Sequence, residues 1–259
     1  MGARVVAIAN QKGGVGKTTT ALTLGAALTR LNQRVLVIDL DPHANASVHL
    51  SFFPEMLEAT IYDLFQEKQA DGKVWERILK TSTGSGFDFA PGSIRLSELE
   101  VDLKERKDKG LILNIALEDM RKRYDYILLD CPPHVGILLV NALVAADLVL
   151  IPIQTDFLAL YGIRLLFDTI RLLNRVLPRP VHYMALATMF DQRTAACRRI
   201  LRIMHDKLGE RVLETVIHFD TKFRESSASG KVIFDVDPTA RGAVEYLNLA
   251  KEIVRNENA

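Results

Sequence analysis

Eight consecutive residues, Lys12-Gly13-Gly14-Val15-Gly16-Lys17-Thr18-Thr19, combine glycines, two lysines and two hydroxyls. Such a string suits a polyphosphate. Glycines let the backbone curl until several N–H groups point at one anion. The string follows an apolar run, Arg4 to Asn10, and opens a helix-period segment, Thr18 to Leu31. That is the strand–loop–helix setting a phosphate loop requires. The helix start near Lys17 adds the positive end of its dipole. Lys17 would neutralise the β- and γ-phosphates, the Thr18 hydroxyl would ligate Mg²⁺, and Thr19 would reach the α-phosphate. The strict pattern G-x-x-x-x-G-K-[ST] asks for glycine at position 11, where Gln11 stands, and Lys12 comes in addition.

Three aspartates end apolar runs. Asp39 and Asp41 sit two apart, so they share a face at a strand's carboxyl end. Asp39 is placed to help hold a metal's water shell. Asp130 closes Tyr126-Ile127-Leu128-Leu129, where a carboxylate at the sheet edge suits Mg²⁺ through water. The two cysteines, Cys131 and Cys197, lack metal-ligand spacing and are too few for a disulfide scaffold. Cys131 reads as a buried thiol in a reducing compartment.

The elements that must position these groups are legible as alternation. Strand-length apolar runs cover Arg4 to Asn10, Arg34 to Asp39, Asp125 to Asp130, Asp147 to Ile153, Val181 to Thr188 and Val212 to Ile217. Helix-period segments cover Thr18 to Leu31, about 94–122 in two pieces, 136–146, 158–175, 193–207 and 239–255. Runs such as Ile127-Leu128-Leu129 are apolar without alternation, as a sheet covered on both faces demands. The expectation is an α/β fold with a doubly wound, mostly parallel sheet flanked by helices, of P-loop NTPase type. Residues 42–92 read as an excursion within the same domain, with a helix over Thr60 to Glu67 and a turn cluster at Thr81 to Gly86. Neither a repeat nor a linker is visible, so residues 1–259 are expected to form a single P-loop ATPase domain.

The loop resembles the deviant Walker A motif of the ParA/MinD/Soj ATPases, and the resemblance runs along almost the whole chain. Val37-Ile38-Asp39-Leu40-Asp41-Pro42 is similar to the second box of that family. Tyr124 to Pro133 resembles its Walker B strand, and Asn141-Ala142-Leu143 with Ala146-Asp147 the segment beyond it. Thr188-Met189-Phe190-Asp191-Gln192-Arg193-Thr194 resembles a stretch near the base pocket. The resemblance implies that Lys12 reaches across a dimer interface to the partner's nucleotide, as an arginine finger does. It implies that Asp41 orients the attacking water, and that Met189, His218 and Asp220 lie near the adenine. Ile217-His218-Phe219-Asp220 departs from the family's Ile-Pro-x-Asn. Pro42-His43-Ala44-Asn45 departs from Pro-Gln-Gly-Asn, and Ala159-Leu160-Tyr161-Gly162 from Ala-Leu-Glu-Gly. The implied cofactors are ATP and Mg²⁺. The implied activity is partner-stimulated ATP hydrolysis by a nucleotide-driven homodimer that partitions a plasmid, chromosome or protein cargo.

Lys plus Arg number 33 and Asp plus Glu 32, giving a formal net charge of +1, which excludes a strongly basic nucleic-acid binder. Any DNA contact must be local. ParA relatives bind DNA without sequence preference, and counterion release would drive such binding here. Arg198, Arg199 and Arg202 share one side of a helix, and Lys222 and Arg224 match a basic loop. Arg164, Arg171 and Arg175 form another stripe. The apolar runs fall short of the roughly 20 residues needed to span a bilayer. No helix-turn-helix segment precedes the loop, which fits the short ParA type. The helix around Ala243 to Arg255 is amphipathic through Val244, Leu247, Ile253 and Val254 and reads as packed rather than as a membrane anchor. The expected protein is cytoplasmic and nucleoid-associated, with a ParB-like or other hydrolysis-stimulating adaptor and no stable membrane association. Two alternatives stand beside this reading: a MinD-like membrane-positioning ATPase, and an ATP-dependent amidoligase of the cobyrinic acid a,c-diamide synthase type.

Overall fold

The computed structural model describes residues 2–67, 72–82, 84–156, 159–177 and 179–257. Eight strands form one sheet: β1 (Arg4–Ile8), β2 (Val35–Asp39), β3 (Lys80–Thr81), β4 (Asp88–Ala90), β5 (Tyr126–Asp130), β6 (Leu148–Gln154), β7 (Tyr183–Phe190) and β8 (Val212–His218). Their order is β3-β4-β2-β5-β1-β6-β7-β8. Every pairing is parallel except β3 with β4 at the edge. All five residues of β2 and of β5 are buried, which is why these runs carry no polar alternation.

Helices cover both faces and divide the apolar interior. One core packs Leu36, Ile38, Phe65, Trp75, Leu113 and Leu143 against one side of the sheet. The other packs Leu22, Leu24, Leu28, Val37, Tyr246 and Leu249 against the opposite side. Helix Lys17–Arg30 belongs to the second core and is apolar nearly all round, since it lies between the sheet and helix Arg241–Glu257. Deep in that contact the hydroxyls of Thr20 and Tyr246 share a hydrogen bond of 2.8 Å. Glu252 on the second helix accepts from the backbone N–H groups of Glu214 and Thr215, tying the helix to β8. The inward face of Arg241–Glu257 is Ala243, Tyr246, Leu249, Ala250 and Ile253, whereas Val244 is exposed, so the sequence-based face is rotated.

Two segments differ from expectation. The excursion at 42–92 lengthens the sheet: β4 pairs with β2, and the Thr81 to Gly86 cluster joins β3 to β4. Three residues are too few to show a strand period, so Asp88–Ala90 carried no signal. The region 94–122 breaks into a 3₁₀ turn, Ile94–Glu98, and three short helices, Leu99–Asp102, Ile112–Ala116 and Met120–Arg123. Six consecutive charged residues, Lys104 to Lys109, interrupt the apolar period. Arg106 instead donates to the carbonyls of Phe65 and Glu67 and pairs with Asp108. The helix expected at 60–67 is present as Ile61–Gln66, started by a capping box between Thr60 and Asp63.

The topology creates one place for a ligand. Between β1 and its neighbours β5 and β6 the chain's course along the sheet reverses. In open α/β sheets the crevice outside the strands' carboxyl ends at such a point receives the ligand. The register puts Ile8 of β1 and Asp39 of β2 each beside Asp130 of β5, so the loop and the acidic boxes meet there.

Candidate functional site

The loop after β1 is fixed from both sides. Asn10 donates through Nδ2 to the Pro152 carbonyl at 2.7 Å, and its Oδ1 accepts the Lys12 N–H at 2.9 Å. The Thr188 hydroxyl donates to the Val15 carbonyl at 2.9 Å. Strands β6 and β7 thus hold the loop that β1 begins. Gly14 and Gly16 have φ of 74° and 91°, in the left-handed region where a side chain is strained. Gly16 immediately precedes helix Lys17–Arg30, and no side chain caps that end. The free N–H groups and the helix dipole are left for an anion.

A cleft of about 620 Å³ opens over this loop. Gly13, Gly14, Gly16, Lys17, Thr18 and Thr19 form its floor, and Asp41, His43, Pro133 and Met189 stand among its walls. Met189 is held at φ 52°, a non-glycine outlier costing about 1–3 kcal/mol, of the sort that clusters at ligand sites.

The three carboxylates have separate environments. Asp39 is fully buried. Its Oδ2 accepts the Ser47 N–H and hydroxyl at 2.9 and 2.7 Å, and its Oδ1 the Asp41 N–H. Ser47 Oγ also accepts from Gly92 N–H, so Asp39 is a hub linking β2 to the segment after β4. Burial pushes Asp39 up to about 6 against those hydrogen bonds. Asp130 is also fully buried, and among the described residues neither of its oxygens has a hydrogen-bond partner. Burial, then the charge of Asp39, raise it well above the usual carboxylate range, while Thr18 and Lys17 pull the other way. A buried carboxylate without a donor, beside the Thr18 hydroxyl, fits a cation bound with its water shell. Asp41 is different again: it is on the cleft wall, and its Oδ1 accepts both the backbone N–H and ring Nδ1 of His43. Cys131 is buried beside Asp130, which raises its thiol and leaves it unreactive.

The two lysines diverge. Lys17 is buried, with Nζ 3.5 Å from the Lys12 carbonyl. Lys12 turns its ammonium out of the cleft to Asp156 Oδ2 at 2.6 Å and Gln154 Oε1 at 3.2 Å, just beyond β6. Nothing local in the sequence signals this pair, which spans 144 positions.

Sequence-predicted residues of the base pocket separate. Met189 is on the cleft. His218 instead pairs through Nδ1 with Glu245 at 2.7 Å and meets the Phe190 ring edge-on. Asp220 accepts the backbone N–H groups of Lys222 and Gly242, capping two helices. Neither lines the cleft. The side chain of Tyr161 lies outside the described residues. Asn45, the last residue of Pro42-His43-Ala44-Asn45, does line it, as do His49 and Ser227, which carried no motif signal. Arg198, Arg199 and Arg202 are exposed on helix Ala195–Leu208. Lys222 is half-buried and paired with Glu225, and Arg224 is exposed near the Phe219 ring.

A family model described as an AAA domain matches residues 3–181. The chain is 38% identical over 254 residues to the sporulation initiation inhibitor protein Soj of Bacillus subtilis, covering 98% of this chain and 99% of the relative. It is 37% identical over 257 residues to the chromosome partitioning protein ParA of Caulobacter vibrioides, covering 98% and 95%. A solved structure of cobyrinic acid a,c-diamide synthase from Mycobacterium smegmatis, with bound ADP and magnesium, superposes with a TM-score of 0.86 at 29% identity, over 99% of this chain and 96% of that one. The loop, the acidic boxes at the switch point and these full-length similarities give one conclusion: the chain belongs to the ParA/Soj family of partition ATPases, within the AAA domain group.

Proposed function

We propose that this protein is an ATP-driven dimerising switch that binds DNA without sequence preference and hydrolyses ATP to partition or position a cargo. The observation that carries this reading is the split between the lysines. Lys17 stays with its own loop, while Lys12, in the same loop, directs its charge away from its own cleft to Asp156. A cation so placed serves a nucleotide held by a second copy once its present pairing is exchanged. The drive is the charge that develops on the γ-phosphoryl oxygens.

The loop N–H groups and Lys17 would grip the phosphates, with Thr19 at the α-phosphate. Thr18, and through water Asp130, would hold Mg²⁺, which when bound neutralises charge across the β- and γ-phosphates. Asp39 supports this arrangement from below by fixing the backbone of Asp41. Asp41 receives the proton of the attacking water, and Lys12 from the partner stabilises the transferring group. A ParB-like or other adaptor stimulates a slow basal rate, and the ADP-bound monomer leaves the DNA. Cytoplasmic, nucleoid-associated localisation follows from that cycle.

The test is oligomeric state by light scattering with ADP and with a non-hydrolysable ATP analogue. Dimers with the analogue and monomers with ADP are expected, and Lys12→Ala should bind nucleotide yet remain monomeric and inactive. A wild-type chain that stays monomeric with the analogue bound overturns the switch. The similarity to the synthase structure supports a second reading, ATP-dependent amide formation. Phosphate release from ATP and water alone, stimulated by DNA, separates the two. For a membrane-positioning ATPase the structure offers no free amphipathic tail among the described residues, since helix Arg241–Glu257 is packed on Lys17–Arg30 and β8. No described helix is long and apolar enough to cross a membrane.

A further inference from the structure

We propose that His43 is a positioning residue for hydrolysis, one that locks the Asp41 carboxylate in a single orientation so that its second oxygen faces the attacking water. The inference rests on the reading of Asp41 as the group that receives the water's proton. Its basis is a pair of hydrogen bonds on one atom. Asp41 Oδ1 accepts the His43 backbone N–H at 3.0 Å and the His43 ring Nδ1 at 2.9 Å. Among the described residues, Asp41 Oδ2 accepts none.

The two contacts have different origins. The backbone contact is a local Asx turn that almost any residue at 43 would keep. The ring contact needs a side-chain donor at 43. The turn is tight: Ala44 donates its N–H to the Asp41 carbonyl at 2.8 Å and has φ 50°, where an alanine is strained. That conformation folds the imidazole back over Asp41. The carboxylate fixes the tautomer, since only an Nδ1–H can donate to it. Asp41 is nearly buried at 8% side-chain exposure, and His43 is open at 69%. Both line the cleft with Lys17 and the loop glycines. The ring therefore holds the carboxylate from the solvent side without closing the cleft.

The step it serves balances simply. Water oxygen bonds to the γ-phosphorus while the bond to the β,γ-bridging oxygen breaks, and the electron pair leaves on ADP. One water proton moves to Asp41 Oδ2 and then to the released phosphate. If Oδ1 is free to rotate, the basic oxygen is misaimed for part of the time.

The experiment compares His43→Ala, His43→Gln and Asp41→Asn with the wild type. Single-turnover hydrolysis of Mg·ATP is measured, and affinity is measured with a fluorescent ATP analogue. His43→Ala should bind nucleotide within about twofold of wild type and hydrolyse about tenfold more slowly, the scale of one hydrogen bond to a charged group. His43→Gln, whose amide can donate to Oδ1, should recover most of the rate. Asp41→Asn should bind and not turn over. If His43→Ala keeps the wild-type rate while Asp41→Asn is inactive, the role of His43 is overturned and that of Asp41 stands. If Asp41→Asn itself turns over normally, the underlying reading falls and the inference with it.

Discussion

The fold opposes a charge on Asp130. Its oxygens are buried without donors, and Asp39 lies beside it in the sheet register. Its folded-state value is raised, so ionisation costs stability above that value, and the cost disappears as pH falls toward the unfolded value near 4. Asp130→Asn is therefore expected to stabilise the nucleotide-free protein at pH 8 by about 1–3 kcal/mol. The gain should shrink toward pH 5, and Mg²⁺-dependent turnover should be lost. Thermal unfolding at both pH values checks this, and a variant less stable at pH 8 contradicts it. Which residues could be read from the chain follows from range. Lys17 and Thr18 open the first helix, Asp41 lies two residues beyond β2 and Asp130 closes β5, each within a short local pattern, so their places in the fold could be read from the chain. The pairing of Lys12 with Asp156 and the bond of Asp220 to the Gly242 N–H depend on partners far along the chain. His218 gave the wrong expectation because its partner, Glu245, lies on a helix whose facing could not be read.

At the scale of elements, the second acidic box is tied to the sheet's short edge. Ser47 bonds both Asp39 and the Gly92 N–H, and a Cβ at Gly92 would lie 2.8 Å from the Asp39 carbonyl. Gly92→Ala must displace backbone, since neither neighbour is a flexible side-chain tip. It should lower unfolding free energy by about 1–3 kcal/mol. Because Asp39 also fixes the Asp41 N–H, hydrolysis should fall more than nucleotide affinity. Calorimetry alongside turnover measures both, and equal losses would place the effect on binding. The long parallel strands were legible from their unbroken apolar runs. The edge strands β3 and β4 were not, because β4 owes its form to pairing with β2, and β3 to pairing with β4, and not to their own composition. Nor was the breakup of 94–122, where apolar spacing suggested longer helices than a charged run permits.

For the whole molecule, a net charge of +1 means that the DNA binding proposed above would depend on where charge is placed. Arg198, Arg199 and Arg202 are exposed on one helix. With an ATP analogue bound, Arg199→Ala combined with Arg202→Ala should flatten the dependence of log affinity on log salt by about 2, without changing sequence preference. An unchanged slope moves the contact elsewhere. The same global view bears on how the protein is made. Helix Lys17–Arg30 rests on Tyr246, 226 positions downstream of Thr20, and β1 sits between two strands made much later. Such distant contacts make assembly slow. On the ribosome, the phosphate-gripping turn is among the first parts to emerge and one of the last to gain its backing. A nascent chain halted before residue 241 already has β6 and β7 beside that turn but lacks the helix that covers Lys17–Arg30, so newly made copies should complete the support of their nucleotide site only after nearly all of their residues have been translated.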